Sequence, residues 1–292
     1  MTAEGSGTGE GQGRNVLITG CSSGIGREIS VALARRGFTV FATVRKEADA
    51  EGLRKLGLPG LVPVFPVDLS DLEQIGRAVE FAIGEIGRRG GQGLWAVVNN
   101  AGGGGPAPVE LLDPERFAIE LKARLVGPVA LVQAVLPLLR QAGGRIVWIM
   151  TPALIPTPYV ANIHACDFAA NCLARTLDIE LKAWRIPNIM VRCGGIKTPA
   201  GMKTVGDVGA LLESGPPARV ALYEKALRKW AEDMAAFDAK RTDASVVARV
   251  VVRAVEARRP KRRYSVGHMA RAAAFLEALP QSVADRILKS RF

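Results

Sequence analysis

A glycine-rich turn near the N-terminus is the first stretch whose residue types and spacing could do chemistry. Gly20, Gly24 and Gly26 follow the apolar run of residues 16–18 and precede a helical pattern. Glycine at these positions permits a tight turn, close approach of the backbone to a pyrophosphate, and close packing of helix on strand. The N–H groups at the start of the helix would face the phosphates. Strand, turn and helix together predict a dinucleotide site rather than an ordinary structural loop.

His164 and Asp167 form a second possible chemical group, because they lie three residues apart in a segment with a helical pattern. Side chains at positions i and i+3 of a helix can touch. An imidazole that a carboxylate orients is a suitable acid or base near neutral pH. The alternative is a partly buried histidine that hydrogen-bonds within its own helix and does no chemistry.

The composition limits the class of protein. The 292 residues are 48% hydrophobic, which suits one large α/β domain. Four cysteines without a Cys-x-x-Cys pair, and only two histidines, favour neither a zinc site nor a disulfide framework. We therefore expect no metal and a reducing, cytoplasmic compartment. We also expect no membrane segment, because the sequence has no export signal pattern and no apolar run of spanning length.

The formal net charge is +11, and part of it lies in the basic run of residues 258–263. Such a run could attract nucleic acid or anionic lipid. It lacks interleaved aromatic residues and a reading-helix motif, so we expect no nucleic-acid partner. A solvated loop with some attraction for phosphorylated or acyl-carrier ligands is the favoured interpretation.

Strand and helix patterns alternate after the N-terminal tail. Apolar runs that predict buried strands occupy residues 16–18, 38–44, 62–67, 94–98, 145–150 and 189–193. The alternation predicts an α/β fold, a Rossmann-like doubly wound parallel sheet in a single domain over residues 14–292. Residues 1–13 are predicted to be a disordered tail, and residues of about 198–240 a small helical substrate lid.

Five short motifs follow one another along residues 14–292. They are Thr19-Gly20-x-x-x-Gly24-Ile25-Gly26, Asp68-Leu69, Asn99-Asn100-Ala101-Gly102, Ile196-x-Thr198-Pro199 and Arg263-Tyr264-x-Val266-Gly267. Together they resemble the short-chain dehydrogenase/reductase family, and within it the bacterial members similar to retinol and 17β-hydroxysteroid dehydrogenases. The resemblance implies a Rossmann-like subunit, usually dimeric or tetrameric, that binds NAD or NADP.

The resemblance also implies which residues hold the cofactor. In the family, matching positions contact the phosphates, the adenine, the adenosine ribose and the carboxamide. The phosphate positions are Gly20, Ser22, Ser23, Gly24, Ile25 and Gly26; the adenine positions are Asp68 and Leu69, the ribose position is Asn99, and the carboxamide positions are Ile196 and Thr198. Ala101 and Gly102 are also implied to bind the cofactor.

The end of the second strand bears on the choice between the two cofactors. Arg45 and Lys46 follow this strand, where no acid is present to grip a ribose 2′-hydroxyl. Positive charge suits a 2′-phosphate, so NADP(H) is favoured over NAD(H). The alternative is that both side chains are simply solvated.

The catalytic positions depart from the family, whose members bring together Asn, Ser, Tyr and Lys. In that tetrad the tyrosine passes a proton to the substrate oxygen, and the lysine lowers the pKa of the tyrosine. Aligning residues 165–169 with the family's Ala-Ser-Lys-Phe-Ala puts Asp167 at the lysine position and Ile163 at the tyrosine position. The family's spacing then puts Met150 at the serine position and Arg124 at the asparagine position. Ordinary carbonyl reduction is not expected, and we predict an Arg124–Asp167 ion pair.

Three functions remain open from the sequence. The first is a non-redox cyclisation, isomerisation, dehydration or aldol-type reaction on a polyketide-like or other small hydrophobic substrate. His164, Asp167, Tyr159 or Arg124 would then supply proton transfer or charge stabilisation.

The second function is that of an inactive subunit that partners an active relative, within a homo- or hetero-oligomer. The third is an atypical oxidoreductase in which Tyr159 or bound water replaces the missing donor. Tyr159 could instead be a packing aromatic of the lid. The cofactor would react only in the third case.

Overall fold

The computed structural model describes residues 14–202 and 204–290, so the predicted tail of residues 1–13 lies outside the described residues. Seven parallel strands form the central sheet, in the order β3-β2-β1-β4-β5-β6-β9. Their bounds are β1 Asn15–Ile18, β2 Thr39–Thr43, β3 Leu61–Val64, β4 Ala96–Asn99, β5 Arg145–Met150, β6 Asn188–Cys193 and β9 Arg263–Val266. The short strands β7 Ile196–Lys197 and β8 Thr242–Asp243 pair with each other outside this sheet. The predicted doubly wound parallel sheet is confirmed.

Helices cover both faces of the sheet. They are α1 Gly24–Ala34, α2 Glu47–Arg54, α3 Leu72–Arg88, α4 Pro114–Leu121, α5 Gly127–Ala142, α6 Ala161–Glu180, α7 Pro199–Met202, α8 Thr204–Ser214, α9 Pro217–Asp238, α10 Ala244–Glu256, α11 Ala270–Glu277 and α12 Gln281–Lys289. Helices α1, α2 and α10 contribute to the core on one face. Helices α3, α5 and α6 contribute to the core on the other. Strands buried on both faces are mostly apolar, which explains the nearly continuous hydrophobic runs in the sequence.

The strand order reverses between β1 and β4. The chain runs outward from β1 to β3 in one direction and from β4 to β9 in the other. In such sheets the loops at the carboxyl ends of the strands separate at the reversal and leave a crevice. The glycine-rich turn after β1 and the Asn-Asn-Ala-Gly motif after β4 both lie at this crevice.

One helical segment has the length and composition of a membrane span. Residues Pro114–Ala142 contain an 18-residue window with a mean hydropathy of 1.5, and 33% of that window is buried inside the protein. This corrects the expectation that no apolar run reaches spanning length. Part of its apolar character is explained by packing, because Leu131, Val135 and Leu139 of α5 belong to the core beneath the sheet.

A π-helical turn interrupts this segment at Lys122–Val126, between α4 and α5. Gly127 follows it, and a Cβ atom there would lie 2.0 Å from the carbonyl oxygen of Leu69. The absence of a side chain at Gly127 lets the π turn approach the loop after β3 closely. Single π turns within α-helices are frequent at functional sites, and this one carries Arg124.

Candidate cofactor and substrate site

The glycine-rich turn is fastened to the end of β4 by hydrogen bonds. The backbone N–H groups of Asn100 and Ala101 each donate to Thr19 Oγ1 at 3.0 Å, and Asn100 Nδ2 donates to the carbonyl oxygens of Thr19 and Gly20 at 2.8 and 3.1 Å. Gly20 has a φ of +72°, which favours glycine. A Cβ atom at Gly26 would lie 2.3 Å from Gly20 O, so only glycine permits this packing of α1.

A cleft of about 820 Å³ runs over this turn. The predicted cofactor residues that line it are Gly20, Ser22, Ser23, Gly24, Ile25, Arg45, Asp68, Leu69, Ala101, Gly102 and Thr198. Asn99 and Ile196 instead line an adjoining cavity of about 280 Å³. Gly26 and Lys46 are not among the lining residues of either space. Gly26 is buried under the turn, and Lys46 lies exposed at the N-cap of α2.

Asn99 carries a polar group that the protein leaves unpaired. The side chain is buried, and neither Oδ1 nor Nδ2 has a hydrogen-bond partner within residues 14–202 and 204–290. Burying an amide without a partner costs free energy, which a polar ligand in the adjoining cavity would recover. The position of Asn99 therefore fits a residue that contacts a bound ligand.

Asp68 is oriented by its own loop. Its Oδ1 atom accepts hydrogen bonds from Ser70 N at 2.8 Å and Ser70 Oγ at 2.7 Å, and its backbone N–H donates to Gln74 Oε1 at 2.9 Å. Arg45 also lines the cleft and is exposed after β2. The carboxylate of the next acid, Glu47, pairs with Arg54 at 2.6 Å rather than with Arg45.

The four residues predicted at the tetrad positions meet in the smaller cavity, whose lining includes Arg124, Met150, Ile163 and Asp167. Arg124 Nη2 lies 2.8 Å from Asp167 Oδ1, so the predicted ion pair is present. The Oδ2 atom of Asp167 accepts a hydrogen bond from Thr151 N at 2.8 Å. Both side chains are largely buried, with 13% and 11% of their area exposed.

The predicted dyad of His164 and Asp167 is not assembled. His164 Nδ1 lies 3.1 Å from the carbonyl oxygen of Ile155, and the ring stacks on Phe168 with centroids 5.8 Å apart. Both Asp167 oxygens are engaged by Arg124 and Thr151 instead. Burial lowers the pKa of His164, although the nearby Asp167 carboxylate opposes this shift. The structure therefore favours a neutral histidine with a structural hydrogen bond.

Tyr159 packs against helices α8 and α9, which agrees with the alternative of a packing aromatic and leaves the ring outside the cavity of the catalytic positions. Its ring contacts Trp230 edge to face, with centroids 5.9 Å apart, in a small core that also contains Val208 and Leu227. Its backbone is held as well, because Ala107 N donates to Tyr159 O at 2.7 Å. The tyrosine is absent from the lining of both cavities.

The smaller cavity is also lined by Thr151, whose loop the sequence places beside the substrate, and by Cys193 and Arg241, which were not assigned to it from the sequence. Thr151 Oγ1 is buried and has no hydrogen-bond partner in the described part of the chain. Its place directly after β5 explains this position, since the ends of the strands meet at the crevice. Burial raises the pKa of Cys193 to about 12, so its thiol is protonated. Arg241 follows α9, the long helix of the predicted lid, and carries no sequence signal for this cavity.

Comparison with known proteins relates this site to one family. Residues 14–208 match the family described as short chain dehydrogenase. The chain is 30% identical to human (Homo sapiens) 11-beta-hydroxysteroid dehydrogenase type 2 over 96% of its own length and 70% of that protein. It is 37% identical to the short-chain dehydrogenase ptmH of Penicillium ochrochloron, over 63% of this chain and 66% of that one.

A solved structure of a short-chain dehydrogenase from Burkholderia cenocepacia, in complex with NADP, superposes with a TM-score of 0.70. The sequences are 25% identical, and the match covers 95% of this chain and 98% of that one. The two chains thus share one fold over almost their whole length.

Proposed function

Because the chain belongs to the short-chain dehydrogenase family of NAD(P)-binding oxidoreductases, we propose that it binds NADP(H) but does not use the family's tyrosine–lysine proton relay. The observation that carries this proposal is the Arg124–Asp167 ion pair, which occupies the cavity where that relay would stand. In the conventional reaction the cofactor supplies or accepts a hydride next to a proton donor.

The residues of the cleft fit the dinucleotide. The glycine turn gives the pyrophosphate close access to the start of α1, and the unpaired amide of Asn99 suits a ribose hydroxyl. Arg45 lines the cleft after β2, and the neighbouring acid Glu47 is engaged by Arg54. Positive charge at this point supports binding of a 2′-phosphate, and hence NADP(H) rather than NAD(H).

The reaction centre supports charge stabilisation rather than proton relay. Met150 and Ile163 cannot exchange protons, and the negative Asp167 would raise, not lower, the pKa of a nearby phenol. Asp167 holds Arg124 on one oxygen and the backbone of Thr151 on the other. The guanidinium and the Thr151 hydroxyl would together stabilise negative charge that develops on a substrate oxygen.

This chemistry suits a non-redox reaction through an enolate-like state: cyclisation, isomerisation, dehydration or aldol-type bond formation. Trp148, Ile149 and Met150 give the cavity an apolar wall, which favours a polyketide-like or other hydrophobic substrate. The retained cofactor would then order the site without being consumed.

A second candidate function is that of an inactive subunit in an oligomer. Ile119, Val126 and Ile179 on α4, the π turn and α6 are 58%, 48% and 75% exposed, so these apolar side chains are accessible to a partner. Association with a second copy or with an active relative would cover them. This function would be favoured if the chain co-purified with a relative that carries the full tetrad and showed no catalytic activity on its own.

The test combines binding with turnover. Nucleotide fluorescence is measured as the protein is titrated with NADPH and with NADH, and the absorbance of NADPH is then followed with a panel of aldehydes and ketones. We expect tighter binding of NADPH and no consumption above the protein-free rate. Steady oxidation of NADPH that is abolished by Tyr159→Phe would overturn the proposal in favour of an atypical reductase.

A further inference from the structure

The end of the lid helix meets the loop that follows β6. The short strands β7 and β8 pair Ile196 with Thr242 and Lys197 with Asp243. Thr242 N also donates to Gly195 O at 3.0 Å. The residues immediately after α9 are therefore joined to the loop that leads from β6 to Thr198.

Arg241 makes the side-chain contacts at this junction. Its Nε atom lies 2.5 Å from Asp238 Oδ1, and its Nη1 atom donates to Ile196 O at 3.3 Å. Its guanidinium lies 5.4 Å from the ring centroid of Phe237. A Cβ atom at Gly195 would lie 2.6 Å from the Phe237 ring, so the glycine lets this ring pack directly on the loop.

The same loop reaches both cavities. Thr198 lines the cleft and the smaller cavity, and a Cβ atom at Gly24 would lie 3.1 Å from Thr198 Cγ2. The loop therefore stands directly over the glycine turn. Arg241 binds its backbone two residues before Thr198, and the Arg241 side chain is itself 13% exposed and lines the smaller cavity.

We propose that Arg241 is a positioning residue for cofactor binding: it couples the lid helix to the Ile196–Thr198 loop and fixes that loop for the nicotinamide half of NADP(H). This inference rests on the proposed binding of NADP(H). Asp238 neutralises and orients the guanidinium, and the contact with Ile196 O sets the height of the loop above the glycine turn. The contact with Asp238 stabilises only the end of α9, whereas the second contact, with Ile196 O, joins Arg241 to the loop.

The experiment uses the full chain and two probes: NADP⁺, and adenosine 2′,5′-bisphosphate, which lacks the nicotinamide half. Dissociation constants are measured by calorimetry for the unsubstituted protein and for Arg241→Gln. We expect NADP⁺ to bind about tenfold more weakly to the variant, the scale of one charge-assisted hydrogen bond. Binding of the bisphosphate should be unchanged, because it reports the adenosine half of the cleft and the integrity of the fold.

Arg228→Gln is the matched control, because Arg228 lies on the same helix, pairs with Glu224 at 2.8 Å and is 63% exposed. It should leave both dissociation constants unchanged. If Arg241→Gln weakened the binding of both probes equally, or of neither, the proposed role of Arg241 would be overturned. The proposed function would not be affected by that result. Failure of the unsubstituted protein to bind NADP⁺ would overturn the proposed function and this inference with it.

Discussion

Arg124 and Asp167 are joined by an ion pair of 2.8 Å although 43 residues separate them in the chain. Arg124 Nη1 also donates to Gly103 O at 2.8 Å, so the guanidinium ties the π turn to α6 and to the glycine run after β4. The pair is thus a structural junction as well as the main charged feature of the smaller cavity.

Asp167→Ala should destabilise the protein by about 2–3 kcal/mol, because it leaves a largely buried guanidinium without its counterion and Thr151 N without its acceptor. Urea unfolding followed by circular dichroism measures the change. Asp233→Ala is the matched control, since its pair with Lys229 is exposed and should contribute about 0.5 kcal/mol or less. The double variant Arg124→Met/Asp167→Leu should lose less stability than Asp167→Ala; a greater loss would contradict the junction as described.

His164 should make the protein less stable at mildly acidic pH. Burial lowers the pKa of His164 from its ordinary value of 6.5, so the unfolded chain binds the proton more readily than the folded one. The free energy of unfolding attributable to this group is therefore retained above pH 6.5 and falls as the pH drops from there toward the lowered pKa. Urea unfolding of the parent and of His164→Gln between neutral and mildly acidic pH should show a shallower slope for the variant. Identical slopes would mean that His164 is not buried in its neutral form.

Arg45→Ser combined with Lys46→Ser should weaken NADPH binding about tenfold to a hundredfold, because the 2′-phosphate loses Arg45 as a charge-assisted partner and the adjacent positive charge of Lys46. Binding of NADH, which lacks that phosphate, should change little. The double variant Arg258→Ser/Arg259→Ser removes the same charge from an exposed loop and controls for a general electrostatic effect. If both double variants lost the same affinity for NADPH, the prediction that the residues after β2 bind the 2′-phosphate would be wrong.

Gly26→Ala should destabilise the fold and weaken dinucleotide binding together. The added Cβ atom would lie 2.3 Å from Gly20 O, so α1 must move away from the turn, at a cost of about 1–3 kcal/mol. Gly76→Ala is the matched control, because no atom lies within 4 Å of its added Cβ, inside α3. It should stabilise the protein by about 0.5–1 kcal/mol. Thermal unfolding of both variants measures this difference. A Gly26→Ala protein with unchanged thermal stability would contradict the close packing of α1 on the glycine turn.

Local order along the chain was predictable from the sequence. The glycine turn, the alternation of strands and helices, and hence the parallel sheet follow from patterns only a few residues long. Since parallel strands place their carboxyl ends at one edge, the motifs after β1 and β4 were bound to meet. Even the Arg124–Asp167 pair was predictable, because opposite charges at two positions of one site attract each other once the fold is given.

Competition for partners was decided only by the tertiary structure. The i, i+3 spacing of His164 and Asp167 allows contact between them. However, Arg124 and the backbone of Thr151 hydrogen-bond to the two carboxylate oxygens, and the imidazole hydrogen-bonds to Ile155 O. Tyr159 lies near the catalytic positions in sequence, yet the lid core around Trp230 holds its ring. Arg241 reaches the cavity from beyond the lid helix, a neighbour that no local pattern encodes. Sequence sets which groups can pair through short spacings, whereas the choice among possible partners depends on packing between segments that are far apart in the chain.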